Sequence, residues 1–291
     1  MHPAPSIILF TTISGLGLGL LAFLGIGMIE PTGLAAFLWF TLGYGLTLVG
    51  LASSAFHLGH PERALRAFTQ WRTSWLSREA VLAAVAMLVL APHAIGLIFF
   101  NRPLTGFGII GGLLALQTVL ATSMIYGQLR TVPRWNHWTT PTLFLISAIT
   151  GGALLSGLPF LSQMLLAWLA VAMVLHWILG DSRFAASGST LGSATGLGAR
   201  GAVRQLEPPH TGTNYLLREM AYVVARRHVV PLRLIALLAA CVLPSVLLWI
   251  APFSLPAIAA AILLHILGML TARWLFFAQA EHVVGLYYGV R

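Results

Sequence analysis

The first long stretch of the chain, residues 6–29, reads SIILFTTISGLGLGLLAFLGIGMI and contains no charged side chain. The hydrocarbon core of a bilayer is about 30 Å thick, and a helix of about 20 apolar residues crosses it. The stretch meets this length, and it is too long for the apolar part of a cleavable signal peptide, which has roughly 7–15 residues. We therefore predict that it is a retained membrane-spanning helix.

The overall composition has the same character as this first stretch. Of the 291 residues, 58% are hydrophobic and 8% are charged, and the mean hydropathy is +0.88. Soluble domains have about 25% charged residues, so this composition excludes an ordinary soluble globule. The single cysteine, Cys241, excludes a disulfide framework or a cysteine-ligated iron–sulfur cluster within the chain. We expect no metal site in the chain and no nucleic-acid partner.

Seven further apolar windows follow the first one, with Pro, Gly and Arg residues between them. The eight predicted spans are residues 6–29, 33–57, 79–100, 104–126, 141–158, 161–180, 231–251 and 254–280. We therefore predict an all-α, polytopic transmembrane helical bundle, in which residues 1–291 form a single integral membrane domain. An even number of spans places both termini on the same side.

The distribution of arginine indicates the orientation of the bundle. All 16 basic residues are arginines, and the predicted loops on the side of the termini hold most of them, whereas the opposite side has Arg102 with Glu30 beside it. Short loops that are rich in Arg and Lys stay in the cytoplasm. We therefore predict that both termini are cytoplasmic. The arginines on their side are Arg63, Arg66, Arg72, Arg78, Arg130, Arg134, Arg183, Arg200, Arg204, Arg218, Arg226, Arg227, Arg233 and Arg291.

The longest predicted connection between spans is residues 181–230. Its first half is rich in Ser, Gly, Ala and Thr between residues 185 and 201, which is typical of a flexible linker. In its second half, apolar residues recur at helical spacing after a candidate N-cap at Thr213 or Asn214. We predict an amphipathic helix there, which lies on the membrane surface, docks against a soluble partner, or does both.

Ionisable residues meet where the second predicted span ends and the third begins. His57 closes one span and Glu79 opens the next, so both reach the same membrane face. A quinone site needs a donor that holds a carbonyl oxygen and titratable groups that pass protons to or from the ring. His57 and Glu79 match these needs. The alternative is that both residues are interfacial anchors, with Glu79 paired to Arg78 or Arg63.

Four short motifs support the quinone interpretation. They are HLGxPxRA at residues 57–64, LSxE at 76–79, TVPxW at 131–135 and WxTP at 138–141. These motifs and the eight-span plan resemble the dimethyl sulfoxide reductase anchor subunit family. The resemblance implies an anchor for a molybdopterin catalytic subunit and an iron–sulfur subunit with four clusters. The chain would lie in lipid and exchange electrons with membrane quinone, either ubiquinone or menaquinone.

The resemblance also implies which residues bind the quinone. His57 would hydrogen-bond a quinone carbonyl, Glu79 would relay protons, and Arg63 would orient one or both. His60 departs from the family pattern, which has a small polar residue at this position, and it either joins the proton path or caps the helix end.

Two tryptophans lie in the other motifs. Trp135 and Trp138 are read first as part of the interfacial aromatic belt. The alternative is that they wall the quinone cleft.

Within this family, orientation indicates the direction of the reaction. Exported dimethyl sulfoxide reductases dock their catalytic subunits on the outer face, whereas the sulfite-oxidising relatives keep theirs in the cytoplasm. Here the motifs lie on the predicted cytoplasmic face, and residues 207–231 resemble the sulfite dehydrogenase anchors. We therefore expect a bacterial inner-membrane anchor that passes electrons from sulfite oxidation to quinone. A dimethyl sulfoxide or polysulfide reductase anchor, a purely structural anchor and a secondary transporter are the alternatives.

Several polar residues fall inside predicted spans. Arg273 must reach the interface or find a carboxylate, with Glu79 and Glu281 as candidates. His93, His176 and His265 could ligate a b-type haem in pairs, but no spacing fixes such a pair, and we expect hydrogen-bonded core histidines without haem.

Overall fold

The computed structural model of the protein describes residues 1–57, 61–207, 212, 214–220 and 228–289, without the side chains of residues 57, 61, 62 and 64. All the regular structure within these residues is helical. The prediction of an all-α protein is therefore confirmed.

Seven of the described helices are long and apolar enough to cross a membrane. An eighth, α5, is apolar but has 17 residues, a length of about 25 Å at 1.5 Å per residue, so the count of eight spans stays a prediction. The chain is a multi-pass membrane protein. Its long helices are α1 (Pro5–Gly25), α2 (Gly33–Ser53), α3 (Trp75–Phe100), α4 (Thr105–Gly127), α5 (Thr139–Leu155), α6 (Pro159–Ala186), α9 (Val229–Ile250) and α10 (Leu255–Ala278).

Shorter elements lie between and after the long helices. A 3-10 turn over Ser54–His57 follows α2, and a 3-10 segment over Pro61–Phe68 precedes α3. The connection after α6 contains α7 (Leu191–Thr195) and α8 (Tyr215–Met220). The amide of Leu217 donates to Oδ1 of Asn214 at 2.9 Å, whereas Thr213, the other candidate cap, lies outside the described residues. The division of residues 181–230 into a linker and an amphipathic helix stays a prediction.

Helix α1 lies at the centre of the bundle and contacts α2, α4, α5 and α10. Its glycines allow close approach: a Cβ atom on Gly19 would lie 1.9 Å from the carbonyl oxygen of Ala148 in α5. On the facing helix, a Cβ atom on Gly152 would lie 2.5 Å from the carbonyl carbon of Gly19. The hydrophobic effect does not drive helix association in lipid, so close van der Waals packing of the two backbones stabilises this contact instead.

The two ends of the described chain meet at one end of the bundle. The amino group of Met1 donates to the carbonyl oxygen of Ala280, just after α10, at 2.7 Å. Near this end, Asp181 accepts hydrogen bonds from Arg134 and Arg233, each at 2.6 Å to Oδ1. Helix α6 continues beyond the predicted span 161–180, through the charged residues to Ala186, and these ion pairs compensate for the charge of Asp181. We call this the terminal face, and its cytoplasmic location stays a prediction.

Candidate functional site

A cavity of about 710 Å³ opens near the terminal face, between the ends of α1 to α4. Phe10 comes from α1, Leu51 from α2, Ala83 and Met87 from α3, and Ile125 from α4. The 3-10 segment before α3 closes one side of the cavity. Ligand pockets for small organic molecules measure about 300–1,000 Å³ and have mainly apolar walls with a few polar groups. This cavity fits that description.

Glu79 places a carboxyl group in the cavity wall, and it is 4% exposed. The structure begins α3 at Trp75 rather than at residue 79, so Glu79 lies one turn inside the helix and within the bundle. The hydroxyl of Thr122, on α4, donates to Oε1 of Glu79. An ionised carboxylate at this depth is costly unless donors or cations compensate for the lost water.

The hydroxyl of Thr122 has two acceptors within reach. Besides Oε1 of Glu79, its proton can go to the carbonyl oxygen of Thr118, at 3.0 Å. A hydroxyl donates one proton and accepts through two lone pairs. Thr122 can therefore donate to the carboxylate form of Glu79, or accept from the carboxylic acid form while donating to Thr118. This contact accommodates both protonation states of Glu79.

Two arginines and one phenol also belong to the polar lining. Arg63 and Arg66 are exposed on the 3-10 segment, and both line the cavity. Tyr126, on α4, also lines it and is 9% exposed. The cavity thus joins guanidinium donors on its exposed side to a carboxyl group in its wall. This arrangement can hold a carbonyl oxygen and exchange protons with a bound ring.

Two histidines, His57 and His60, also belong to the predicted site. The backbone of His57 ends the 3-10 turn after α2, next to the cavity-lining residues Ser54 and Ala55. Its side chain lies outside the described part of the chain, as does the whole of His60. Their roles in quinone binding stay predictions.

The two predicted tryptophans lie elsewhere. Trp135 is 3% exposed, its ring stacks on Phe276 at 5.4 Å, and its Nε1 donates to the carbonyl oxygen of Phe276 at 3.0 Å. It packs behind Tyr126, with ring centroids 5.3 Å apart. Trp138 is 57% exposed and lines a separate groove of about 240 Å³ between α5 and α6. Neither residue is in the described lining of the large cavity, so we do not include them in the proposed site.

Sequence reasoning missed Thr122, Tyr126 and Arg66. Thr122 looks like any threonine in an apolar span, and its contact with Glu79 requires the packing of α3 on α4. Tyr126 is the last polar residue of its span, and Arg66 lies three residues after the motif residue Arg63, one turn of a 3-10 helix. That spacing was a usable signal.

Comparison with known proteins identifies the family of the chain. Residues 1–289 match the family described as DMSO reductase anchor subunit (DmsC). A sulfite dehydrogenase subunit from Allochromatium vinosum is 29% identical over 327 aligned positions, which cover 99% of this chain and 99% of that protein. No solved structure matches the chain. Since the family match covers nearly the whole sequence, the chain belongs to the DMSO reductase anchor subunit family.

Proposed function

We propose that the chain is the quinone-binding anchor subunit of a molybdenum oxidoreductase, and that it passes electrons from sulfite oxidation to the quinone pool. Sulfite would lose two electrons at a molybdopterin centre in a catalytic partner. A partner with four iron–sulfur clusters would carry the electrons to the terminal face. The chain itself would supply the place where quinone takes them up.

The observation that carries this proposal is the cavity that contains Glu79. It is large enough for a substituted ring, apolar enough to accept one from lipid, and lined by two arginines and a carboxyl group. A quinone that receives two electrons also needs two protons. Glu79, which lines the cavity, would pass them to the ring one after the other and would take up a new proton from the cytoplasmic face after each transfer. Its contact with Thr122 would stabilise both of its protonation states, and Arg63 would hold a carbonyl oxygen of the ring, with His57 as a second donor.

The position of the cavity supports a location for the partners. It opens near the terminal face, where most loop arginines are predicted, so the iron–sulfur partner would dock there. Electron transfer requires the last cluster to be near the quinone. By the positive-inside rule, that face would lie in the cytoplasm, at the bacterial inner membrane.

Quinone-coupled sulfite oxidation by the assembled complex tests the function. We expect the complex in membranes to reduce a ubiquinone or menaquinone analogue with sulfite. The partner subunits without this chain should reduce soluble acceptors only. If the complex without this chain reduces quinone as fast as the complete complex, the proposal is wrong.

The family description supports a second candidate, an anchor for a DMSO reductase. The same cavity would then bind quinol, and electrons would leave it for the catalytic partner. Reduction of dimethyl sulfoxide by the complex with a quinol donor, in the absence of sulfite oxidation, would favour this candidate. The name of the Allochromatium vinosum relative and the predicted cytoplasmic terminal face support the sulfite direction.

A further inference from the structure

Arg273 is a buried cation inside α10, eight residues from His265. It is 2% exposed, and its Nη2 donates to the hydroxyl of Ser147 at 2.8 Å. The sequence suggested Glu79 or Glu281 as its ion-pair partner. This suggestion is wrong for the described structure, in which the guanidinium lies over the ring of Phe144, with Cζ 3.6 Å from the centroid.

Two donors of this guanidinium are buried with no protein partner in the described part of the chain, namely Nε and Nη1. Two small cavities lie against Arg273, and each measures about 10 Å³. A cavity of about 10–15 Å³ is the smallest that holds a water, and buried water typically satisfies about three otherwise unpaired polar groups. Both the space and the unpaired donors are therefore present.

The first cavity lies on the side of the large cavity and links Arg273 to Thr122. Its wall contains Thr122, Ser14 and Thr11 together with Arg273. Thr122 is the residue whose hydroxyl donates to Glu79, and its oxygen has a lone pair left to accept a further hydrogen bond. A water here can accept from Arg273 and donate to Thr122.

The second cavity lies deeper and links Arg273 to His265 and Thr12. His265 is 1% exposed, and its Nδ1 lies 2.7 Å from the carbonyl oxygen of Ala240, in a π turn over Leu238–Val242 of α9. A carbonyl only accepts, so Nδ1 carries the proton and Nε2 of the neutral ring is an acceptor. Nε2 of His265 and Oγ1 of Thr12 are buried without a partner in the described residues.

We propose that each cavity binds one ordered water, and that Arg273 holds both, forming an internal polar path from Glu79 through Thr122 and Arg273 to His265. The deeper water would accept from Arg273 and donate to Nε2 of His265. Eight residues of helix separate Arg273 from His265, so the path extends about 12 Å further into the membrane. Arg273 is then a positioning residue, because it acts on Glu79 through water and Thr122. The effect of the path on the chemistry of Glu79 rests on the proposed function, whereas the waters themselves do not.

A structure of the assembled complex, at a resolution that shows ordered water, tests the binding sites directly. We expect one water in each cavity, both within hydrogen-bond distance of Arg273. Cavities that are dry, or filled by a rearranged side chain, would overturn the proposal. In the Thr12→Val variant the deeper water should be lost and the outer water retained. Loss of both waters or of neither would contradict the assignment.

Thr122→Val tests the connection to Glu79, with Thr118→Val as the matched control. Both threonines are buried on α4, and the described hydroxyl contact of Thr118 is with the carbonyl oxygen of Leu114. We expect Thr122→Val to lose the outer water and to lower kcat for quinone about fivefold or more, as expected for the loss of one or two hydrogen bonds. KM for quinone should change less than twofold, because Thr122 is not in the described lining of the large cavity. Thr118→Val should keep both waters and the kcat.

Arg273→Met and Arg273→Lys separate the positioning role from folding. Both variants should assemble with the partners in the membrane, and Arg273→Lys should recover part of the kcat that Arg273→Met loses. If neither variant assembles, the ordered waters in the structure of the complex and the kcat of Thr122→Val decide whether the proposal holds. Equal kcat for the Met and Lys variants would overturn the positioning role. If Glu79→Gln leaves quinone turnover intact while both waters are present, the proposed function fails at this site and the water path stands.

Discussion

Glu79→Gln changes the chemistry of the cavity wall while it keeps the shape of the side chain. The glutamine carbonyl oxygen can still accept the hydrogen bond that Thr122 donates to Oε1. One hydrogen bond contributes about 0.5–1.5 kcal/mol, so we expect the free energy of unfolding to change by no more than about 1 kcal/mol. The variant should therefore assemble normally.

The expected loss of activity is much larger than this change in stability. A positioned acid or base contributes about 100- to 10,000-fold to a proton-transfer step. If Glu79 served only to hold the quinone by a hydrogen bond, a loss near 1 kcal/mol would slow turnover about fivefold. A decrease of at least about 100-fold therefore distinguishes proton relay from binding alone.

Two activities of the assembled complex in membranes give the measurement. Sulfite oxidation with a quinone acceptor should fall by the amount above, and sulfite oxidation with a soluble dye should stay unchanged because it bypasses the anchor. Glu30→Gln is the control, since Glu30 is an exposed carboxylate between α1 and α2. If Glu79→Gln keeps about one fifth or more of the quinone activity, a change that the loss of one hydrogen bond explains, the proton-relay role is refuted.

Three further changes test other parts of the structure. Gly19→Ala should prevent assembly, because its Cβ would lie 1.9 Å from a carbonyl oxygen of α5. Gly45→Ala is the control and should assemble normally, because its Cβ would have nothing within 4 Å. Equal yields of the two variants in membranes would contradict the close packing of α1 on α5. Asp181→Asn should lower the melting temperature of the purified complex by a few degrees, because it leaves the charges of Arg134 and Arg233 unneutralised, which costs about 1 kcal/mol for a half-exposed site. An unchanged melting temperature would show that these two ion pairs do not stabilise the complex. Arg63→Gln should raise KM for quinone roughly tenfold, as expected for a lost charge-assisted hydrogen bond, with kcat changed less; a lower kcat at constant KM would assign the residue a different role.

The fold was predictable because membrane-spanning helices have a strong local signal. Runs of about 20 apolar residues require helix, since the bilayer leaves no water for unpaired backbone groups. Boundaries were less predictable where charges occur near the interface. Asp181 suggested the end of α6, but its contacts with Arg134 and Arg233 come from distant parts of the sequence.

The site was predictable only in part. His57, Arg63 and Glu79 lie at or between the adjacent ends of the second and third predicted spans, which indicated a common location. The structure places Glu79 and Arg63 in one cavity. Tryptophan is typical of the interfacial aromatic belt, yet Trp135 packs in the core of the bundle, where its ring stacks on Phe276. The partner of Arg273 was also unpredictable, since a buried guanidinium can be stabilised by a ring and a hydroxyl without any carboxylate.

Photoaffinity labelling of the assembled complex with an azido-quinone tests the central claim most directly. Mass spectrometry should locate the label at the first turns of α3 or on the 3-10 segment before it, where Glu79 and Arg63 line the cavity. Excess unmodified quinone should prevent the labelling. A label in the groove between α5 and α6, near Trp138 and Trp168, with none at the large cavity, would contradict the claim.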